Sequence, residues 1–141
     1  MTKKISLLTF VFLTMLFAAC KQEPKENAEN VETTSVLQSD ATVQLIQFHS
    51  EHRCMTCSKI ESLAIESLTS VEGVPFQLIN VDDKTNATIA EEFEATGTAL
   101  YLYNTQTGAK KDLTEFAFMK AGDQEAFKTE LTKEILTFKE L

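Results

Sequence analysis

Thr42-Val43-Gln44-Leu45-Ile46-Gln47-Phe48, then His49-Ser50-Glu51-His52-Arg53, then Cys54-Met55-Thr56-Cys57: the fold is decided in this run. Its first seven residues are rich in β-formers and read as a strand. After the cysteines, Ile60, Leu63, Ala64, Leu68 and Val71 recur at helical spacing, and Gly73 supplies a stop. Cys54 and Cys57 therefore fall between a strand and a helix. The first N–H groups of a helix have no intrahelical partner, and with the helix dipole they favour a negatively charged sulfur.

Outward from this run, Pro75-Phe76-Gln77-Leu78-Ile79-Asn80-Val81 predicts a second strand, and Asp82-Asp83-Lys84-Thr85-Asn86 a turn with residues suited to N-capping. Ile89, Ala90 and Phe93 mark a short second helix that ends near Thr96-Gly97. Ala99-Leu100-Tyr101-Leu102-Tyr103 reads as a third strand, and Lys110 to about Met119 as a fourth, paired with it through a turn at Thr107-Gly108. Asp123 is placed to cap a last helix with Phe127, Leu131, Ile135 and Phe138 on one face. The order is β-α-β-α-β-β-α. It predicts an α/β domain, a four-stranded mixed sheet with helices on both faces, whose helix-linked strands run parallel.

The N-terminal third reads differently. Met1-Thr2-Lys3-Lys4 precedes an apolar run from Ile5 to Ala19, which is a charged n-region followed by a short h-region. Ala18-Ala19-Cys20 resembles the small-small-Cys end of a bacterial lipoprotein signal, after which cleavage leaves a lipidated cysteine. Residues 1–19 are thus expected to be a lipoprotein signal peptide, with Cys20 the lipid attachment site. Residues 20–41 are polar, acidic and nearly free of large apolar side chains, and read as a flexible linker. Residues 42–141 remain as one domain. The expected location is extracytoplasmic and lipid-anchored to a membrane, on the periplasmic side or the cell surface.

With Cys20 assigned to lipid, Cys54 and Cys57 are left as a pair in an exported protein, which means a disulfide or a metal site. The chain has 141 residues, 13 Lys+Arg against 21 Asp+Glu, and a formal charge of −8. That balance argues against nucleic acid as a partner, which calls for a basic face. No phosphate-binding glycine loop, Ser/His/Asp motif, dinucleotide fingerprint or flavin fingerprint is present.

The element order, the Cys-x-x-Cys after the first strand, and the downstream runs Leu78-Ile79-Asn80-Val81-Asp82, Ile89-Ala90-Glu91-Glu92-Phe93 and Thr96-Gly97-Thr98-Ala99-Leu100-Tyr101 together resemble the minimal thioredoxin fold over residues 42–141. Phe48-His49, Arg53-Cys54-Met55-Thr56-Cys57 and Ile60-Glu61 further resemble a group of small bacterial thioredoxin-like proteins. Some of these are described as ArsF-like subunits of a nitrophenyl-compound nitroreductase and are associated with DsbD-like membrane partners. The resemblance implies a thiol-disulfide oxidoreductase without added cofactor, its redox-active disulfide being Cys54–Cys57. Cys54 would be the nucleophile and Cys57 the resolving thiol, with protein thiols or disulfides, including a DsbD-like membrane thiol relay, as partners. Arg53, and His52 when protonated, would place positive charge nearby, and Glu51 would oppose them. Thr98 and Ala99 would belong to the loop facing the cysteines.

The sequence departs from the family pattern at named places. Arg53 stands where the family has Trp, and Met55-Thr56 stand where it has Gly-Pro. A buried acid of the first strand falls at Gln47 or Phe48. The family's cis-proline aligns with Ala99, and a non-proline cis bond costs about 3–4 kcal/mol, so the Thr98–Ala99 bond is expected to be trans. Two alternatives stay open. His49, His52, Cys54 and Cys57 could hold Zn²⁺ or Cu(I), making the domain a metal carrier. The pair could also be a structural disulfide in a redox-inactive interaction module. Tyr101 and Tyr103 read as sheet packing, Phe116 and Phe118 as core or edge cover, and Asp82-Asp83 as a strand terminator.

Overall fold

The computed structural model describes residues 41–141. The expected signal segment, the Cys20 lipid site and the linker up to residue 40 lie outside the described residues. Nine elements follow in order. These are β1 (Val43–His49), α1 (Met55–Leu68), β2 (Phe76–Asn80), a 3-10 turn (Lys84–Asn86), α2 (Ala87–Glu92), β3 (Ala99–Asn104), β4 (Lys110–Asp112), α3 (Thr114–Lys120) and α4 (Gln124–Lys139). The sheet order is β2-β1-β3-β4. β1 pairs parallel with β2 and antiparallel with β3, and β3 pairs antiparallel with β4. This mixed sheet, with the Cys-x-x-Cys opening the helix after its central strand, has the architecture of the minimal thioredoxin fold.

β1 is buried on both faces because strands flank it and helices cover it. Val43 and Leu45 face one core with Leu100 and Leu102 of β3, Ile60, Leu63 and Ala64 of α1, and Phe127, Leu131, Ile135 and Phe138 of α4. Ile46 and Phe48 face a second core with Ile79, Phe93 and Tyr103. Alternation along one strand thus divides its side chains between two helical layers. Phe93 sits edge-on to both Tyr101 and Tyr103, at 5.2 and 5.3 Å between ring centroids, so the tyrosines are sheet packing as expected. Asp123 caps α4, its Oδ1 accepting from the Ala126 N–H at 3.1 Å.

Three expectations fail, each for a local reason. First, β3 does not run parallel to the strands before it. α2 has six residues, about 9 Å of helix at 1.5 Å per residue. That is too short to carry the chain back along the sheet, so the chain leaves β2 and enters β3 at the same end. Asn80 pairs with His49, and Ala99 pairs with Phe48, one residue away.

Second, the fourth strand does not extend to Met119. β4 stops at Asp112, and Thr114–Lys120 is helical. Asp112 Oδ1 accepts from the Thr114 N–H at 2.8 Å, and Thr114 Oγ1 accepts from the Leu100 N–H at 3.1 Å. Leu113, Ala117 and Ala121, spaced by four, are all buried in the first core. The fold therefore has one helix more than expected. Phe116 packs on Phe127, whereas Phe118 is 44% exposed.

Third, α1 ends at Leu68. Val71 reaches the core from the turn beyond it, just before Gly73, whose φ of +74° suits a residue without Cβ.

Candidate active site

The four residues after β1, Ser50 to Arg53, carry the chain across the end of the sheet to Cys54, and three polar contacts fix that passage. The Val81 N–H donates to the His49 carbonyl at 2.9 Å, continuing the β1–β2 pairing. The Glu51 N–H donates to Asp82 Oδ2 at 2.7 Å. The Asp82 N–H in turn donates to Asn80 Oδ1 at 3.0 Å. A β-carbon placed on Gly97 would lie 3.6 Å from Ser50 Oγ, so the loop before β3 lies against the loop before the cysteines.

Cys54 is the N-cap of α1. Its backbone is extended, φ −80° and ψ 161°, and its sulfur accepts from the Cys57 N–H at 3.2 Å. Its carbonyl accepts the first helical hydrogen bond, from the Ser58 N–H at 3.1 Å. A sulfur in the position of an N-cap oxygen meets N–H groups that no carbonyl satisfies, which favours a thiolate over a thiol. Cys54 and Cys57 are joined by a disulfide, with Cα atoms 5.2 Å apart. The two sulfurs are unequal. Cys54 lies on the surface, whereas Cys57 is 7% exposed. Met55, between them, is 91% exposed and stands out beside the reachable sulfur.

Arg53 is half-buried and its Nη2 forms an ion pair with the Glu61 carboxylate of α1, off the line of a directed hydrogen bond. Its charge near the disulfide is thus shared with a carboxylate. His52 is exposed. His49 is half-buried, and its Nδ1 donates to the Ser50 carbonyl at 2.8 Å. Among the described residues no three His, Cys, Asp or Glu side chains converge as a metal site, so His49, His52, Cys54 and Cys57 are not gathered as one ligand set in this disulfide form. Ala99 is buried opposite Phe48, with Thr98 half-buried just before it, and no peptide bond among the described residues is cis.

Two positioning groups carried no signal of that role in the sequence. Asp82 reads there as a strand terminator, yet it holds the loop to the cysteines. Glu61 enters there only within the run that carries the family resemblance, yet it holds Arg53. Gln47 lies beneath α1 with its Nε2 donating to the Cys57 carbonyl at 3.1 Å. Of the two positions considered for the family's buried acid, Gln47 is the one under the cysteines, and Phe48 faces the other core.

No protein-family model matches the chain, and no curated protein matches it. Solved structures with similarity include thioredoxin f2 of Chlamydomonas reinhardtii, at 17% identity and a TM-score of 0.44, covering 63% of this chain and 86% of that one. A thioredoxin of Plasmodium falciparum aligns at 16% identity and a TM-score of 0.41, covering 61% and 73%. A structure described as a malarial protein aligns at 18% identity and a TM-score of 0.40, covering 56% and 94%. The thioredoxin-like architecture is defined by strand order, pairing direction and the place of the cysteines within this chain.

Proposed function

We propose that this domain moves electrons between proteins by thiol–disulfide exchange at Cys54 and Cys57. The observation that carries this reading is the asymmetry of the pair, an exposed sulfur at a helix N-cap bonded to a buried one three residues on. In the oxidising direction, a partner's thiolate attacks Cys54 Sγ. The Cys54–Cys57 bond breaks, a mixed disulfide forms and Cys57 leaves as a thiolate that takes up a proton. The partner's second thiolate then attacks the mixed disulfide and releases Cys54. The partner becomes a disulfide and this domain a dithiol, with two electrons and two protons transferred. The reducing direction is the reverse, with Cys54 as nucleophile and Cys57 as resolving thiol.

The setting belongs to the same proposal. The protein acts outside the cytoplasm, held to a membrane by lipid on Cys20, and residues 20–41 let the domain search near the membrane surface at high effective concentration. Its partner class is a membrane thiol relay of the DsbD-like kind, in keeping with the sequence resemblance at Arg53-Cys54-Met55-Thr56-Cys57.

Cys57→Ser removes the resolving thiol, so a mixed disulfide at Cys54 should persist. This variant is expected to capture a polytopic membrane thiol protein in cells, as an adduct that dithiothreitol releases. Cys54→Ser, which leaves only the buried thiol, should capture far less, and the double variant nothing. No adduct with Cys57→Ser, in cells where the wild-type pair stays oxidised, would overturn the exchange reading. Cys20→Ser should shift the protein from the membrane fraction to the soluble one or block its processing. A native chain whose intact mass retains residues 1–19 would refute the lipid anchor.

A further inference from the structure

Gln47 is wholly buried in the middle of the sheet, on β1, which has a strand on either side and leads directly to the cysteines. By alternation it shares the face of Val43 and Leu45, beneath α1, and its Nε2 donates to the Cys57 carbonyl. The other end of the same planar amide, Oε1, is buried and has no hydrogen-bond partner. A buried carbonyl oxygen without a donor is costly, and buried polar groups in folded proteins are nearly always paired. The described chain is the disulfide form, in which neither sulfur carries a hydrogen. Reduction adds two electrons and two protons and breaks the S–S bond. It creates one new donor on the buried side, the Cys57 S–H.

We infer that Gln47 distinguishes the two redox states: its Oε1 accepts the Cys57 S–H in the dithiol and has nothing to accept in the disulfide. The amide thereby stabilises the reduced form. Because Gln47 is neutral and presents an oxygen, it also holds Cys57 as a thiol rather than a thiolate. The anionic sulfur of the reduced protein is then Cys54, at the helix N-cap. Gln47 acts through Cys57 and is a positioning residue. The inference rests on Cys54 and Cys57 being the exchanging pair.

The test uses the full chain equilibrated with mixtures of reduced and oxidised dithiothreitol, in which the small dithiol is oxidised as the protein disulfide is reduced. Gln47→Met keeps the volume and burial but removes the acceptor. The Nε2 bond to the Cys57 carbonyl is lost from both states and cancels in the comparison. The equilibrium constant for reduction should fall by about three- to tenfold, a potential more negative by about 15–30 mV for a two-electron couple. An unchanged constant, or a larger one, overturns the inference. A second measurement needs no variant. With ¹³C-labelled glutamine in the wild-type chain, the Gln47 side-chain carbonyl resonance should move downfield on reduction. That of Gln44, buried on the opposite face of β1, should stay in place. A Gln47 carbonyl resonance identical in the two states overturns the inference even if Gln47→Met does not fold. Both readouts use a small-molecule dithiol, so they fail independently of partner capture. A shifted constant with no adduct in cells would sink the proposed partner chemistry and leave Gln47's role standing.

Discussion

A disulfide that cycles must leave the domain folded in both states, and the consequence can be worked for the variant lacking both thiols, Cys54→Ser/Cys57→Ser. The bridge spans a sequence separation of 3 and so closes a loop of four residues. In the chain-entropy treatment, a loop that small restricts the unfolded chain by about 6 cal/mol/K, or about 2 kcal/mol at 25 °C. Serine at position 54 retains an N-cap acceptor for the Cys57 backbone N–H, so the start of α1 should keep its cap. Neither sulfur holds the main core together. Leu45, Leu102, Phe127, Leu131 and Ile135 are fully buried in a core cluster that includes neither cysteine. For comparison, Phe127→Ala should cost about 3–5 kcal/mol through the cavity it leaves. The double variant should therefore unfold cooperatively, about 2 kcal/mol less stable than the oxidised protein. For a domain of this size its midpoint should be about 8–16 °C lower. Urea and thermal melts followed by far-ultraviolet circular dichroism measure this, with the wild type in excess reductant as a second arm. If either form is unfolded at 25 °C, or loses as much as Phe127→Ala does, the bridge is structural and the reasoning is refuted.

Other outcomes follow from residues away from the disulfide. Glu94 ends α2 at φ 53°, with its N–H on the Glu91 carbonyl and the Ala95 N–H on the Ala90 carbonyl, the paired bonds of a Schellman ending where glycine is usual. Glu94→Gly should stabilise the domain by about 1 kcal/mol, and Glu94→Ala, which keeps the left-handed strain, by less; equal melts for the two would contradict this. The Tyr101 phenol is held above its ordinary value by burial first and by Asp112 second, its hydroxyl lying 3.1 Å from the Phe93 carbonyl and 3.3 Å from Asp112 Oδ2. A raised folded value means that this contribution is complete below the unfolded value of about 10 and is lost as pH rises through the folded one. Tyrosinate absorbance should therefore appear later than for free tyrosine, and Asp112→Asn should move it part of the way back; no movement would remove Asp112 as a cause.

Local sequence carried the parts of this protein that depend on short windows. The β-forming run at 42–48, the helical spacing after Cys57, the apolar face of Phe127, Leu131, Ile135 and Phe138, and the Asp123 cap each arise from residues within a few turns of one another. So does the position of the Cys-x-x-Cys at a strand–helix junction. The helix at Thr114–Lys120 had a local signal too, in the four-residue spacing of Leu113, Ala117 and Ala121. Reading Lys110 to about Met119 as one strand concealed it. What periodicity does not encode is where a chain segment returns. The antiparallel entry of β3 follows from how little distance α2 covers, and that entry brings Gly97 and Ala99 beside the loop to the cysteines. Asp82 finds the Glu51 N–H across 31 residues because β2 lies alongside β1. Gln47 lies beneath Cys57 because α1 folds back over the strand that precedes it. A lone glutamine in a strand gives no sign of its partner. Its place is set when the sheet and helix close over it, leaving Nε2 of its amide bonded to the Cys57 carbonyl and Oε1 buried without a donor.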